Sequence, residues 1–478
     1  MTIARELAKY ALGLKFEDLS EEVVHEAKKV VLDALSCAIG AYPSETSKII
    51  QNIVKGLDGP KESTVIGSGL KTSCLNAILA NGVMVRYLDF NDGYLIIVGS
   101  QTTGSHPSDM IPAVLALGER EHSDGREVIN AIVLSYELSA RFMHAFVNPA
   151  SITPTIEAKG WNCDTRGIFV MPVMAGKLLG LSEEQMEHAI GISGSHNMAL
   201  GILDATGEEY SMTKNLRFPR TAYGGVMAAL MAQKGFTGPT RVLEGNKGFI
   251  QAVMGGEFNV EALTKAGEKF KILDTAYKPF CADGTTHGHL TATLELVKEH
   301  DIKPEDVAEI KIIAPSRCTE HTGDPAKRFP TNKESADHSS YYLTAIAIMD
   351  RRIGPDQFSQ QKFRDPRVRE LIEKVSMEAD PSLDRFGQAG ISEIRVRQGA
   401  TYRRRVEHPK GHLMNRMTDQ ELEDKFRGMA EKFMSEEQIK KLIATIYELE
   451  KLDDIGKLMQ LVIFKNEKKK GLSRKGSR

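Results

Sequence analysis

Cysteine is scarce and scattered in this 478-residue chain: Cys37, Cys74, Cys163, Cys281 and Cys318 form an odd set with no C-x-x-C pair. That excludes a disulfide framework and a metal knuckle, and no local cysteine run supplies ligands for an iron–sulfur cluster. Long apolar runs are missing too, none approaching the roughly 20 residues of a membrane span. Neither sign of charge dominates: 62 Lys and Arg face 64 Asp and Glu, a net charge of -2 that offers nucleic acid no general attraction. The one dense basic run, Lys465 to Arg478, is also rich in Gly and Ser and reads as a solvated tail rather than a binding arm. The first residues lack the basic-then-apolar build of a signal peptide and read as a short amphipathic helix, so a cytoplasmic location is expected.

What is present fits a globular protein of two or three domains, with 26% charged and 41% hydrophobic residues. From Glu21 to about Ala41, Val23, Val24, Ala27, Val30, Val31, Ala34 and Leu35 recur at helical spacing. Similar patterns follow at roughly 72–88, 108–120, 126–146, 165–179 and 220–234, and Ser182 to Gln185 is a capping-box sequence that opens another helix. No alternating strand stands out before about residue 265, which makes the first half a helical domain. Beyond Lys271 short β-like runs appear at Glu309–Ile313, Glu393–Arg397 and Tyr402–Val406, separated by helical stretches near 284–299, 339–351 and 366–376. This is an α+β domain. Two amphipathic helices, about 418–434 and 435–451, follow, the first on a second capping-box pattern at Thr418 to Glu421, and they bury too little alone to stand apart from the first domain. The expected divisions are 1–268, 269–407, 408–460 and a basic tail, 461–478.

Reactive side chains concentrate in turn-forming sequence between apolar helical stretches. Leu88-Asp89-Phe90-Asn91-Asp92-Gly93-Tyr94 is followed a dozen residues later by Ser105-His106-Pro107-Ser108-Asp109. Ser108 or Asp109 caps the next helix in this reading, placing His106 just outside a helix N-terminus, where the macrodipole lowers a histidine's pKa and favours carboxylates. Lys214, Arg217 and Arg220 lie within seven residues among apolar anchors, and such a cluster needs anions, from protein carboxylates or from a polycarboxylate ligand. In Ala276 to His289, Gly284, Thr285 and Thr286 supply turn and cap chemistry for an anion site. His287 and His289, at i and i+2, share no helix face and have no third ligand nearby, so no metal site is expected. Asp337-His338-Ser339 opens an apolar helix whose Tyr341 and Tyr342 read by default as core residues.

These segments, with Gly160-Trp161, Lys278-Pro279-Phe280 and Lys410-Gly411, resemble in order and spacing the MmgE/PrpD family, which includes 2-methylcitrate dehydratase and cis-aconitate decarboxylase. The resemblance covers the chain to about residue 455. It implies a mainly α fold: a large all-helical domain built from both chain ends, a smaller inserted α+β lid, an active site without metal or cofactor in the cleft between them, and a homodimer. Carried over by position, it implies catalytic roles for Asp89, His106, Lys214 and Tyr342 and substrate contacts at Lys278, Arg217, Asp92 and His338. Gly93 stands where a threonine is usual, Cys281 where proline is frequent, and Asn162 and Asp283 where the decarboxylase-like members have histidine.

The expected function is a lyase that dehydrates 2-methylcitrate or a close relative. His106 moves the proton, Asp89 orients it, Lys214 and Lys278 neutralise the developing enediolate, and Tyr342 closes over the substrate as hydrogen-bond donor. The same machinery suits cis-aconitate-type decarboxylation or epimerisation of an amino-dicarboxylate, and a non-catalytic metabolite-binding member is the reading from a different class. Loss of two histidines from the pocket weighs against the decarboxylase, and Asp283 is expected to disfavour a third carboxylate.

Overall fold

The computed structural model describes residues 1–98, 101–147 and 155–464. The chain is mainly α-helical, and among the described residues no helix is long and apolar enough to cross a membrane. The Glu21–Ala41 helix starts where the Ser20 side chain accepts a hydrogen bond from the Val23 N–H, with Glu21 and Glu22 on the positive end of its dipole. It runs through the middle of the larger hydrophobic core. That core joins residues from Ile3 to Cys281 with Met417–Val462, so both chain ends share one interior. The capping boxes at Ser182 and Thr418 both form, opening the Glu183–Gly194 and Asp419–Ala430 helices. From the latter, Lys425 reaches through the core to pair with Asp33 at 2.6 Å and to donate to the carbonyls of Phe90 and Lys278.

A separate core gathers Ala282 through Val396. Its sheet has four strands in the order Val375–Ala379, Val307–Ala314, Gly390–Val396, Thr401–Val406, the first pair parallel and the others antiparallel. The His287–Glu299 and Ser340–Asp350 helices contribute their buried faces to this core. Arg403, Arg404 and Arg405 sit on the edge strand, a common device against edge-to-edge pairing.

Three expectations need correction. The first half does contain strands: Gly93–Val98 pairs antiparallel with Gln101–Ser105, and Thr275–Ala276 adds to the other edge of Gly93–Val98. The run Leu95-Ile96-Ile97-Val98 is too short for periodicity to separate strand from buried helix. The helix expected at 366–376 stops at Glu373, and Val375–Ala379 becomes a strand against Ile310–Ala314. Residues 461–464 belong to the body rather than to a tail, since the Gln438 amide binds the Leu461 and Ile463 carbonyls at 2.8 Å and Phe464 packs on Tyr42 and Phe433. The rest of the expected tail, 465–478, lies outside the described residues.

One glycine ties the returning chain to the segment that carries Lys278. Gly411 has φ +91°, and a Cβ there would lie 1.7 Å from the Tyr277 carbonyl oxygen, while its own carbonyl accepts from the Tyr277 N–H. Neither the dihedral nor the space admits a side chain. Gly411→Ala should cost about 3 kcal/mol or more in urea unfolding, and a loss under about 0.5 kcal/mol would show that this crossing is loose.

Candidate functional site

Between the two cores lies a cavity of about 450 Å³, within the size range of small-molecule sites, with Arg86, His106, Lys278, Asp283, His321 and His338 on its wall. Its floor is organised by Asp89. This residue follows the Cys74–Tyr87 helix and takes a left-handed backbone, φ +48°, which aspartate tolerates better than most side chains. The turn sends a fully buried carboxylate back among cations. Oδ1 accepts from Arg86 at 2.7 Å and Lys278 at 2.6 Å, and Oδ2 from Lys214 at 3.2 Å. Burial pushes the Asp89 carboxyl up, but the charges of Arg86, Lys214 and Lys278 outweigh it and hold the pKa well below the usual carboxylate range. Lys214 stands behind Asp89 and His338 rather than on the cavity wall, and also approaches Asp337 at 3.4 Å. Burial draws its pKa below the ordinary lysine value, although Asp337 and Asp89 oppose the shift.

His106 ends the strand Gln101–Ser105 and precedes a single 3₁₀ turn, Pro107–Met110, that leads into the Ile111–Glu121 helix. Its Nδ1 lies 2.6 Å from the Asp92 carbonyl oxygen. A carbonyl only accepts, so Nδ1 carries the proton and Nε2 presents a lone pair, 3.8 Å from Asp89 Oδ1. Burial lowers the His106 pKa well below the ordinary histidine value, and the charges of Arg86 and Lys278 lower it further. The imidazole is therefore held in place by a backbone carbonyl, where the Asp89 carboxylate had been expected. Ser108 and Asp109 do not cap the following helix: the Ser108 hydroxyl donates to Asp92 Oδ1, and Asp109 Oδ1 accepts from Asn91.

Asp92, expected to touch substrate, points into the protein. Its carboxylate accepts from the Ser108 N–H and hydroxyl and from Tyr136, and burial raises its pKa to about 7. Tyr342 is likewise turned inward: its hydroxyl donates to the Gln357 carbonyl and its ring packs on Phe358 and Phe363. It lies off the cavity wall, which follows from its place on a helix buried on nearly every side. Arg217 reaches the wall, but its guanidinium is bound to Asp164 and Asp204, so the anions needed by this cation-rich segment are protein carboxylates.

From the second core, His338 Nδ1 lies 2.6 Å from Asp337 Oδ1 and 3.3 Å from both Asp89 Oδ2 and Lys214 Nζ, and Nε2 faces Asp283 Oδ2 at 3.6 Å. Asp283 does point into the cavity, with Oδ1 held by the Thr285 N–H and hydroxyl. Burial pushes its carboxyl up, but His338 and His321 outweigh that and hold it below the usual range. Sequence reasoning passed over Arg86, Arg317 and His321. Arg86 and Asp89 are spaced i, i+3 across a helix end, a readable pairing signal, whereas Arg317 and His321 sit on a six-residue helix without a clear apolar period.

Residues 5–261 match the MmgE/PrpD N-terminal domain and residues 280–449 the MmgE/PrpD C-terminal domain. The chain belongs to the MmgE/PrpD family. It is similar to human cis-aconitate decarboxylase, 27% identical with 94% of this chain and 92% of that protein covered, and to the cis-aconitate decarboxylase of Aspergillus terreus, 24% identical with 96% of each covered. It is also similar to the 2-methylcitrate dehydratase of Escherichia coli K12, 23% identical, with 88% of this chain and 89% of that protein covered. Three MmgE/PrpD positions expected to depart from common family patterns line this cavity. A Cβ at Gly93 would meet only the Ser105 carbonyl at 3.8 Å, so glycine there leaves space and answers no backbone need. Asn162 caps the Asp164 N–H and donates to Asp204, and is thereby engaged with the wall. Asp283 is the departure that adds charge.

Two outcomes follow. Asp89→Asn would leave three buried cations around a neutral amide, a loss of about 3–5 kcal/mol in denaturant unfolding. Because the folded pKa is depressed, the Asp89 contribution is complete above about pH 4 and disappears as pH falls toward the folded value, so the gap between wild type and variant should narrow in acid; a gap that widens would remove Asp89 from this role. Tyr342→Phe should lower stability by about 1 kcal/mol and leave kcat within a few-fold. A hundredfold fall in kcat would instead put the hydroxyl at the chemistry.

Proposed function

We propose that the chain is a lyase acting on a small polycarboxylate, most specifically a dehydratase of 2-methylcitrate or a close relative. The observation that carries this reading is the tautomer of His106: its Nδ1 proton is committed to the Asp92 carbonyl, and its lone-pair Nε2 lies beside Lys278 and Arg86 in the cavity. A neutral imidazole so placed removes a proton from the carbon next to a carboxylate, and the C–H electron pair forms the new double bond as hydroxide leaves the adjacent carbon. Arg86 and Lys278 meet the negative charge that develops on the carboxylate, with Asp89 fixing both. Lys278, an ammonium on the cavity wall, supplies the proton to the departing hydroxide.

Decarboxylation of a cis-aconitate-like substrate is the second reading, favoured by the relatives of that name. That reaction ends with a proton delivered to the carbanion left by carbon dioxide, which Lys278 rather than the neutral His106 would supply. Incubation with 2-methylcitrate, citrate and cis-aconitate in deuterated buffer, followed by mass spectrometry and NMR, separates the two. Loss of water from 2-methylcitrate supports dehydration. Loss of carbon dioxide with uptake of one solvent deuteron at either end of the resulting allylic system supports decarboxylation, exchange or inversion without net loss supports epimerisation, and no turnover supports a metabolite-binding protein.

His106→Ala should reduce kcat by about 10²–10⁴-fold with the fold intact, the range for a deleted general acid or base. Since a base works only when unprotonated and the His106 pKa is lowered, the acidic limb of kcat/KM should fall below about pH 6.5, the ordinary histidine value. An acidic limb above that value would point to another base.

A further inference from the structure

The proposed reaction uses the cationic end of the cavity, where His106, Lys278 and Arg86 gather, and leaves the wall that continues from His106 without a task. That wall begins on the hairpin of Gly93–Val98 and Gln101–Ser105, where Tyr94 pairs with Ser105 and Leu95 with Gly104. Side chains alternate along a strand. Tyr94 turns inward to meet His144, so Gly93, Leu95, Gly104 and His106 fall on the other face, toward the cavity. Two of those four carry no side chain. We infer that this face is one side of an apolar lane for an alkyl chain, and that the substrate is a polycarboxylate bearing a linear alkyl group longer than methyl at the carbon beside His106.

Neither glycine answers a backbone need. A Cβ at Gly104 would stand 3.6 Å from the Tyr94 carbonyl oxygen and 4.0 Å from Leu95 Cδ1, both ordinary contacts, and one at Gly93 would be freer still. Their bareness opens a strip from His106 to Gly104, two residues of strand or about 7 Å. Cys163 closes its far end, with Sγ 3.8 Å from the Gly104 carbonyl oxygen, and burial pushes the thiol pKa up, so the group stays neutral and behaves as a small hydrophobe. Trp161 follows, bridged through the backbone to Leu200, and Ile202 stands beyond it on the wall, 58% exposed. The polar groups of this segment are engaged with one another. Asn162 accepts from the Asp164 N–H and donates to Asp204, and the carboxylates of those two residues hold Arg217, so its charge is balanced before a ligand enters. Glu157 and Arg317, also on the wall, face each other at 3.6 Å.

In 2-methylcitrate the methyl stands on a carbon that carries both a carboxylate and the removable proton. With that proton toward His106 Nε2 and the carboxylate toward Lys278 and Arg86, a longer chain in place of the methyl starts beside the open strip and follows it toward Trp161 and Ile202. A methyl alone fills little of a cavity of about 450 Å³. Each further methylene taken out of water is worth about fourfold in affinity. The inference rests on the polycarboxylate reading for the head of the substrate, whereas the lane itself rests on the strand register and the two glycines.

The test has two arms, both with the full-length protein. One measures kcat and KM for 2-alkylcitrates from methyl to hexyl; the other measures by calorimetry the binding of the matching alkylsuccinates, which have no hydroxyl to lose. The expected result is a rise of about fourfold per methylene over the first few carbons, in kcat/KM chiefly through KM and in alkylsuccinate affinity, with a negative heat-capacity change on binding. Gly104→Val, which narrows the strip, and Ile202→Ser, at an exposed position, should each lower the hexyl-to-methyl ratio by about fivefold or more, with circular dichroism to show that each variant is folded. Values that stay level or fall with chain length, or a ratio unchanged in both folded variants, overturn the lane. Turnover of 2-methylcitrate with no gain for longer chains in either arm would sink this inference and leave the proposed function standing; a gain in alkylsuccinate binding with no turnover of any 2-alkylcitrate would do the reverse.

Discussion

Charge neutralisation around one buried carboxylate is the constraint on which the rest of the site depends. Asp89 has the side chains of Arg86, Lys214 and Lys278 on its two oxygens, and none of these four groups keeps appreciable contact with bulk water. Removing so many charges from water costs several kcal/mol per ion, which the structure offsets only because the geometry is closed on every side. The left-handed turn at Asp89 aims the carboxylate, Lys425 fixes the carbonyls of Phe90 and Lys278 on either side, and Gly411 lets the returning chain pass close to Tyr277. Each of these features is a condition for the ion cluster rather than an addition to it.

The same accounting runs around the cavity. Arg217 is neutralised by Asp164 and Asp204, Lys333 by Asp337, and Arg317 approaches Glu157 at 3.6 Å. An anion entering this space does not meet bare positive charge. It meets cations whose directions are already set by protein partners, so recognition depends on where the remaining N–H groups point more than on overall attraction.

How much of this was legible in the sequence divides along physical lines. Helices whose starts carry local chemistry, at Ser182 and Thr418, were readable because a cap needs only neighbours in the chain. Alternation exposed the Val307–Ala314, Gly390–Val396 and Thr401–Val406 strands, whereas Gly93–Val98 is stabilised by pairing that its own residues do not announce. Motif segments marked the region of the site, and Asp89, His106, Lys278 and His338 do converge there. Direction of side chains was not legible: Asp89 and Asp92 lie three residues apart, yet one faces cations at the cavity floor and the other a serine and a tyrosine in the interior. Tyr342 illustrates the same limit, since a helix buried all round gives no pattern by which to tell a cavity face from a core face.

The ion pairs of the site also join two separately cored parts of the chain. Lys214 meets Asp337, Asn215 meets Glu334, and Lys333 binds the Tyr87 carbonyl, all across the boundary between the larger and smaller hydrophobic cores. Docking of the two parts and assembly of the cavity floor are thus coupled. A partial opening that separates the cores can leave both helix content and strand pairing intact while dismantling every contact at the floor of the cavity. Such a state would retain a native-looking spectrum without a working site, and a molecule that bridges the two walls would bind only the closed form and so hold the parts together.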